Sequence, residues 1–425
     1  MLLLKQIQEN PDEIIKRLAV KNFDATKIVA DILKIEEERK SLQQALEHNA
    51  AELNSTSKKI GLLMKDGDMQ AVETIKQTTA KLKANAKELQ EKVNVLEKSS
   101  FELLVQLPNL PHASVPKGKS EADNEIIKTV ESNIVPENTR LPHWELAKKY
   151  NLIDFELGNK ITGAGFPVYI GKGAKLQRAL IRFFLDEAEK NDFLEYIPPL
   201  LVNEDTAFGT GQLPDKEGQM YHATVDNFFL VPTAEVPLTN IYRDVIIDEK
   251  DLPIKMTAYT PCFRREAGSY GKDVRGLNRV HQFDKVEIVQ IISPEKSYKA
   301  LDEMVSYVEG LLKKLMLPYR ILRLCGGDLS FTSALTFDFE VFSGAQEKWL
   351  EVSSVSNFET FQSNRMKIRI KQKGEKKKIL AHTLNGSALA LPRIMAALLE
   401  NNQTSTGIKI PKVLVDYTGF DIIRK

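Results

Sequence analysis

The sequence predicts an α+β protein in two parts, an antiparallel two-helix coiled-coil arm followed by a large domain of mixed strand and helix. Three observations carry this. Apolar residues repeat in heptads over the first hundred positions, the pattern turns to mixed strand and helix from His143, and 425 residues exceed what one compact core usually holds. With 42% apolar and 28% charged residues the chain can bury a core, which excludes wholesale disorder. Lys+Arg total 59 against Asp+Glu 58, so any attraction to nucleic acid or to an acidic membrane must come from local patches. Cys262 and Cys325 are too few for a disulfide framework or a structural zinc, and no run of about 18 apolar residues occurs. A cytoplasmic protein that does not span a membrane is expected.

From the N-terminus, Ile28, Ile32, Ile35, Leu42, Leu46, Leu53 and Ile60 step by three and four, with Arg39, Asn49 and Thr56 on the same seam. A second heptad set runs through Ile75, Leu82, Ala86, Leu89, Val93, Leu96, Leu103 and Leu107, with Thr79 and Ser100 in register. Between them Gly61 and Gly67 are expected to end the first helix and turn the chain, so the two helices pair antiparallel. At about 1.5 Å per residue the pair would reach roughly 50 Å and project as an arm. Heptads with lysines outside read first as homotypic coiled-coil contacts with a solvated surface, and a partner is the sharper alternative. Lys58, Lys59, Lys65, Lys76, Lys81, Lys83, Lys87 and Lys92 crowd the distal half and suit phosphates, diluted by Glu52, Glu73, Glu88 and Glu91. Pro108, Pro111 and Pro116 stop the second helix, and polar sequence runs on to about Arg140. The expected divisions are 1–107 for the arm domain, 108–140 for a linker and 141–425 for one large domain of mixed strand and helix.

Within the larger part, Thr257–Glu266 reads as a strand with Arg264 and Glu266 on one face. A polar loop punctuated by Gly268, Gly271 and Gly276 leads to a second strand from Arg279 to Glu287. There alternation aligns Arg279, His281, Phe283, Lys285 and Glu287 opposite Val280, Val286 and Ile288. Such a hairpin could simply face water. Guanidinium groups with a phenyl ring and carboxylates also suit a nucleotide, through paired donors on phosphate and stacking on a base. Thr336–Phe342 and Trp349–Ser354 read as two further strands with buried carboxylate positions. Glu351 and Ser354 could hold Mg²⁺ on triphosphate oxygens, or Glu351 could be an ordinary edge charge. Asn385–Arg393 is expected to open a helix running to about Asn401, with Ser387 as its N-cap and Arg393 near its start.

These residues resemble the class II aminoacyl-tRNA synthetases. The Phe263-Arg264-x-Glu266 strand, glycine loop and Arg279-x-His281-Gln282-Phe283 look like motif 2, and Leu384-Asn385-Gly386-Ser387 with Arg393 looks like motif 3. In detail the chain resembles the seryl-tRNA synthetases, through Thr233-Ala234-Glu235, residues 257–287, Glu351 to Asn357, Thr383 to Ser387, and the order of arm before catalytic domain. Motif 1 is placed on a helix from about Leu176 to Asp192 and a strand ending at Pro198-Pro199. Ala388, Pro392 and Arg265 depart from the family pattern. Pro392 would kink the helix, and Ala388 would narrow the space above Ser387.

The resemblance implies a catalytic domain with a mainly antiparallel sheet flanked by helices. It also implies a ligase that turns L-serine and ATP into seryl-adenylate and then charges tRNA(Ser), and tRNA(Sec) where present. By the family's pattern Arg264, Arg393 and Glu351 would be catalytic. Thr233, Ala234, Glu235, Glu287, Asn385 and Ser387 would surround serine. ATP would meet Arg264, Arg265, Glu266, Val280, His281, Gln282, Phe283, Glu351, Val352, Ser353, Ser354 and Arg393. Mg²⁺ would accompany ATP on Glu351 and Ser354, without zinc, and the molecule would be a homodimer. Two other readings are a paralogue that loads a carrier protein and a coiled-coil scaffold with a dead catalytic domain. The long arm disfavours the first, and the intact nucleotide residues disfavour the second.

Overall fold

The heptads fold as their period dictates. Short helices α1 (Leu4–Glu9) and α2 (Pro11–Leu18) precede α3 (Thr26–Asp66) and α4 (Met69–Leu104), which pair antiparallel. Ile32, Asn49, Val93 and Ser100 are buried in the seam, Leu42, Leu46, Leu53, Leu82, Leu89 and Leu96 are half-buried, and Lys58, Lys59, Lys76, Lys81, Lys83 and Lys87 are exposed. Arg39 spans the pair, 3.0 Å from Glu36 and 3.9 Å from Glu97. Contrary to expectation, α3 does not stop at Gly61 but continues to Asp66. A glycine inside a helix costs about 1 kcal/mol, too little to end a 41-residue helix held along a seam. Asp68 then caps α4, its carboxylate accepting from the Ala71 N–H at 3.0 Å.

The computed structural model describes residues 1–66, 68–131, 140–215, 217–266 and 275–425. Gly67, Gly268 and Gly271, expected at turns, lie outside these, as do residues 132–139 of the expected linker. The chain divides into two compact units, Met1–Ala19 with Phe23–Pro108, and Val20–Asn22 with Asn109–Lys425. Among the described residues no helix is long and apolar enough to cross a membrane.

The second unit is built on an eight-stranded sheet of β1 (Glu125–Val130), β2 (Leu194–Glu195), β3 (Ile254–Phe263), β4 (Gln282–Ile292), β5 (Tyr319–Arg323), β6 (Leu335–Ser343), β7 (Lys348–Asn357) and β8 (His382–Ala390). Their order across the sheet is β1-β5-β6-β7-β8-β4-β3-β2, antiparallel throughout except for β2 on β3. The stretch 108–140 is therefore more than a linker: Leu110 and Val115 are buried, and Glu125–Val130 is an edge strand. Its Glu-Ile-Ile-Lys-Thr-Val sequence is β-branched, though polar flanks hide it.

Six helices matter for the site: α5 (His143–Lys149), α6 (Gly171–Glu189), α7 (Glu235–Asn240), α8 (Ser297–Leu315), α9 (Phe361–Met366) and, after β8, α10 (Leu391–Asn401). Val286 and Ile288 of β4 enter the main core with Leu180, Phe184, Leu312, Ile394 and Leu398, so α6, α8 and α10 cover that face. Phe283, Lys285 and Glu287 turn to the other face, beside a smaller core of Ala234, Leu238, Met256, Ala258 and Ile370. The expected motif 1 strand is shorter than foreseen, ending at Glu195 before the two prolines.

The stretch from Asn385 to Ser387 is also corrected. It lies inside β8, where Ser387 pairs with Glu287 and Gly386 with Val355, and the helix begins at Leu391 with Ala390 as its N-cap. Pro392 stands at the second helical position, where its missing N–H interrupts no hydrogen bond, so it produces no kink.

Candidate active site

A basin of about 1060 Å³ opens over the sheet face that carries Phe283, Lys285 and Glu287. At its inner end β4 places Glu287 between Ala258 of β3 and Ser387 of β8. The Glu287 carboxylate is buried, 2.7 Å from the Lys285 ammonium, and accepts from the Thr233 hydroxyl at 3.1 Å. Glu235, in the first turn of α7, is buried beside them. Burial, and then the Glu287 charge, push its carboxyl up to about 7, against the opposing pull of a hydrogen bond donated by Gln362. That bond is 2.6 Å long, and Gln362 is itself oriented by the Thr383 hydroxyl at 2.7 Å. Asn385 and Ser387 complete this polar end. The Ser387 carbonyl is occupied by the Ser353 hydroxyl at 2.6 Å.

Arginines line the outer part. Arg264 follows β3 directly, its N–H donating to the His281 carbonyl at 2.9 Å and its guanidinium lying 5.2 Å over the Phe283 ring. The strand ends at Phe263, so Arg264 and Glu266 sit on the loop beyond it and not on the strand face expected. Glu266 has φ +50 and pairs with the Arg279 guanidinium. Arg393, third in α10, donates to the Asn278 carbonyl at 2.9 Å and to the Glu351 carbonyl at 2.8 Å. Glu351 is exposed, in contrast to the buried position expected, and its carboxylate accepts from the Ser354 hydroxyl at 3.5 Å.

Asp338, one of the buried carboxylate positions expected on this strand though given no role of its own, pairs across the ladder with Ser354. Its Oδ1 is buried without a hydrogen-bond partner, and burial followed by the Glu351 charge raises its carboxyl well above the ordinary range. An orphaned carboxylate oxygen next to Glu351 and Ser354 gives a hard-oxygen set of the kind Mg²⁺ accepts when water and phosphate supply the remaining ligands. Among the described residues no three His, Cys, Asp or Glu gather into a metal cage.

Arg264, Glu266, Val280, Phe283, Glu351, Val352, Ser353, Ser354, Arg393, Thr233, Glu235, Glu287, Asn385 and Ser387 all line the basin, as the sequence leads one to expect. Four expected residues do not. Ala234 is buried in the smaller apolar core, Arg265 lies over the Tyr221 ring, and Gln282 is exposed. His281 turns away from the face shared by Phe283 and Lys285, because the strand begins only after it. Its ring stacks on Phe166 and contacts the Tyr221 hydroxyl and the Arg264 carbonyl, each at 3.1 Å. It thus braces the Arg264 backbone from outside. Gln362 escapes sequence reasoning; it has no local signature, since it gains meaning from Glu235 and Thr383, each more than ten residues away. Cys262 and Cys325 are both buried, and burial pushes the Cys262 thiol up.

Residues 1–111 match the family model described as seryl-tRNA synthetase N-terminal domain, and residues 221–402 that described as tRNA synthetase class II core domain (G, H, P, S and T). The chain is similar to the serine–tRNA ligase of Salinibacter ruber, 49% identical over 99% of this chain and 98% of that one. With the serine–tRNA ligase of Akkermansia muciniphila it shares 46% identity over 100% of this chain and 99% of that one. Among solved structures it is similar to seryl-tRNA synthetase from Pyrococcus horikoshii complexed with ATP, at TM-score 0.93 and 33% identity, covering 100% of this chain and 99% of the other. A second is cytoplasmic serine–tRNA ligase from Naegleria fowleri in complex with AMP, at TM-score 0.88 and 25% identity over 100% and 99%.

Proposed function

The chain belongs to the serine–tRNA ligase family of class II aminoacyl-tRNA synthetases, and on that premise we propose that the basin joins L-serine to AMP and that the arm presents tRNA for charging. One observation carries the reading. Two buried carboxylates, Glu235 and Glu287, share among the described residues one buried cation, Lys285, in a basin that the half-buried Arg264 and Arg393 also line. A second cation beside them would settle that imbalance, and the ammonium of an amino acid is such a cation. Thr233, Asn385 and Ser387 offer polar partners for the substrate hydroxyl. A pocket that hydrogen-bonds a hydroxyl rejects alanine, because its own groups would be left unpaired.

In the first step a carboxylate oxygen of serine attacks the α-phosphorus, and the bond to the β-phosphate oxygen breaks as pyrophosphate leaves. Arg264 faces the charge that develops on the α-phosphate, Phe283 and Glu266 receive the adenine, and Arg393 holds the outer phosphates. Mg²⁺ on the triphosphate, held by Glu351 and Ser354 with Asp338 behind them, would add charge neutralisation. In the second step a terminal ribose hydroxyl of the tRNA attacks the serine carbonyl, the bond to the phosphate oxygen breaks, and AMP leaves with the electron pair, its phosphate taking up the hydroxyl proton. The nucleotides named for the Pyrococcus and Naegleria structures agree with this use of the basin. The working molecule in this reading is a cytoplasmic homodimer that charges tRNA(Ser), and tRNA(Sec) where present.

An amino-acid panel tests the proposal. Exchange of labelled pyrophosphate into ATP without tRNA should depend on serine and be negligible with alanine or threonine. Exchange driven equally well by either would refute the pocket assignment.

A further inference from the structure

Glu400 lies near the end of α10, two turns beyond Arg393, and is completely buried. One carboxylate oxygen accepts from the His143 backbone N–H at 3.0 Å, the His143 Nδ1 at 2.7 Å and the Gln346 amide at 3.0 Å. The other takes the Ser343 hydroxyl and the Ala345 N–H. Burial alone would raise this carboxyl; the bonds, led by His143, outweigh it and hold it below the ordinary range. A carboxylate so placed fixes the imidazole tautomer, with hydrogen on Nδ1 and a free lone pair on Nε2. That lone pair accepts the Leu277 N–H at 2.8 Å.

Leu277 belongs to the short turn that brings the chain back to β4. The next residue, Asn278, offers its carbonyl to Arg393 at 2.9 Å and its amide to Gln346 at 2.7 Å. Arg275 at the start of the turn lies 4.7 Å over the ring of Trp144, so α5 grips the turn at two points. Gly276 makes the approach possible: its φ is +68, and a Cβ there would stand 2.2 Å from His143 Nε2.

We propose that His143 is a positioning residue for nucleotide activation, acting through Leu277 and Asn278 to hold the Arg393 guanidinium in the basin. This rests on the phosphate role given to Arg393 above. A free arginine side chain samples many rotamers. Two carbonyls and the Glu351 carboxylate, 3.8 Å away, fix this one, and the Asn278 carbonyl is only as steady as the turn that His143 fastens.

The two ring nitrogens can be tested separately. His143→Asn keeps a donor for Glu400 but is too short to reach Leu277, whereas His143→Gln keeps an acceptor for Leu277 and weakens the Glu400 bond. In serine-dependent pyrophosphate exchange, His143→Asn should raise the KM for ATP about tenfold, the scale of one missing hydrogen bond to a buried donor, and leave the KM for serine unchanged. His143→Gln should return the KM for ATP to within about twofold of the parent. A parent-like KM for ATP in His143→Asn, a parallel rise in both KM values, or no rescue by His143→Gln overturns the proposal. Should His143→Asn fail to fold, Gly276→Ala, which drives the turn off Nε2, must show the same split, and a parent-like result there overturns it equally. Arg393→Ala separates the two levels: an unaltered KM for ATP in that variant defeats the phosphate role and the His143 link together. An altered one beside a parent-like His143→Asn defeats the link alone.

Discussion

Arg264 and Glu235 show how single residues take their function from their surroundings. Arg264 gains a fixed direction from Phe283 beneath it and from a backbone bonded to His281. Arg264→Ala should lower serine-dependent exchange about 10³-fold, the effect of removing a positioned donor from a water-poor site, with an unaltered melting profile. Lysine should not restore it, because an ammonium lacks the planar fork; unchanged exchange in either variant would remove Arg264 from the reaction. Glu235 illustrates the opposite balance, a function that costs stability. Its carboxyl is raised by burial and by Glu287 to about 7, so the folded chain binds a proton more tightly there than the unfolded chain does. Its contribution to stability therefore falls as pH rises from the ordinary carboxylate range to about 7 and stays low above it. Glu235→Gln should consequently melt higher than the parent at pH 8, with the gap closing near pH 4, while its KM for serine rises. Calorimetry at the two pH values, with exchange kinetics, checks both halves.

Elements were legible in the sequence wherever a single period governs them. The arm's seam was readable because each heptad position meets the same environment; Gly61 misled because a local helix-breaking cost is small beside the summed packing of a long pair. Strand ends were misjudged for a different reason. Alternation continues through Arg264 and Glu266, but the ladder closes at Phe263 opposite Gln282, and where pairing stops is a property of two strands. Ser387 looked like a helix cap since serine before an apolar run is a local signal. Its pairing with Glu287 comes from a strand a hundred residues earlier, which no window could contain. Most of the expected site residues nevertheless line one basin, while Ala234, Arg265, His281 and Gln282 do not, because types and order point to a family even where the element holding them was misread. Near β2, where the expected motif 1 strand lies, the structure leaves Leu194, Ile197 and Leu201 exposed, Ile197 at 91%. An apolar row of this kind fits a second copy of the chain. Sedimentation at micromolar concentration should give twice the 48.0 kDa of one chain, and Ile197→Asp should shift it toward the monomer. A parent that sediments only as monomer would exclude this interface.

At the scale of the whole molecule, the proposed reaction divides between the two compact units. Every residue assigned to serine and ATP lies after position 230, within the second unit, whereas the exposed lysines Lys58, Lys59, Lys76, Lys81 and Lys83 belong to the first. Neutralising several of these should flatten the salt dependence of tRNA affinity by about one unit of slope for each phosphate that no longer meets a lysine. The most direct measurement of this division deletes Ser41 to Leu89, bridges the stumps, and compares serine-dependent pyrophosphate exchange with tRNA charging in the same preparation across a salt series. Exchange should stay within about twofold of the full chain while charging falls by orders of magnitude, since only the second step needs the arm. Charging that matches the full-length protein, or exchange lost together with charging, would contradict the assignment of activation to the basin and of tRNA to the arm.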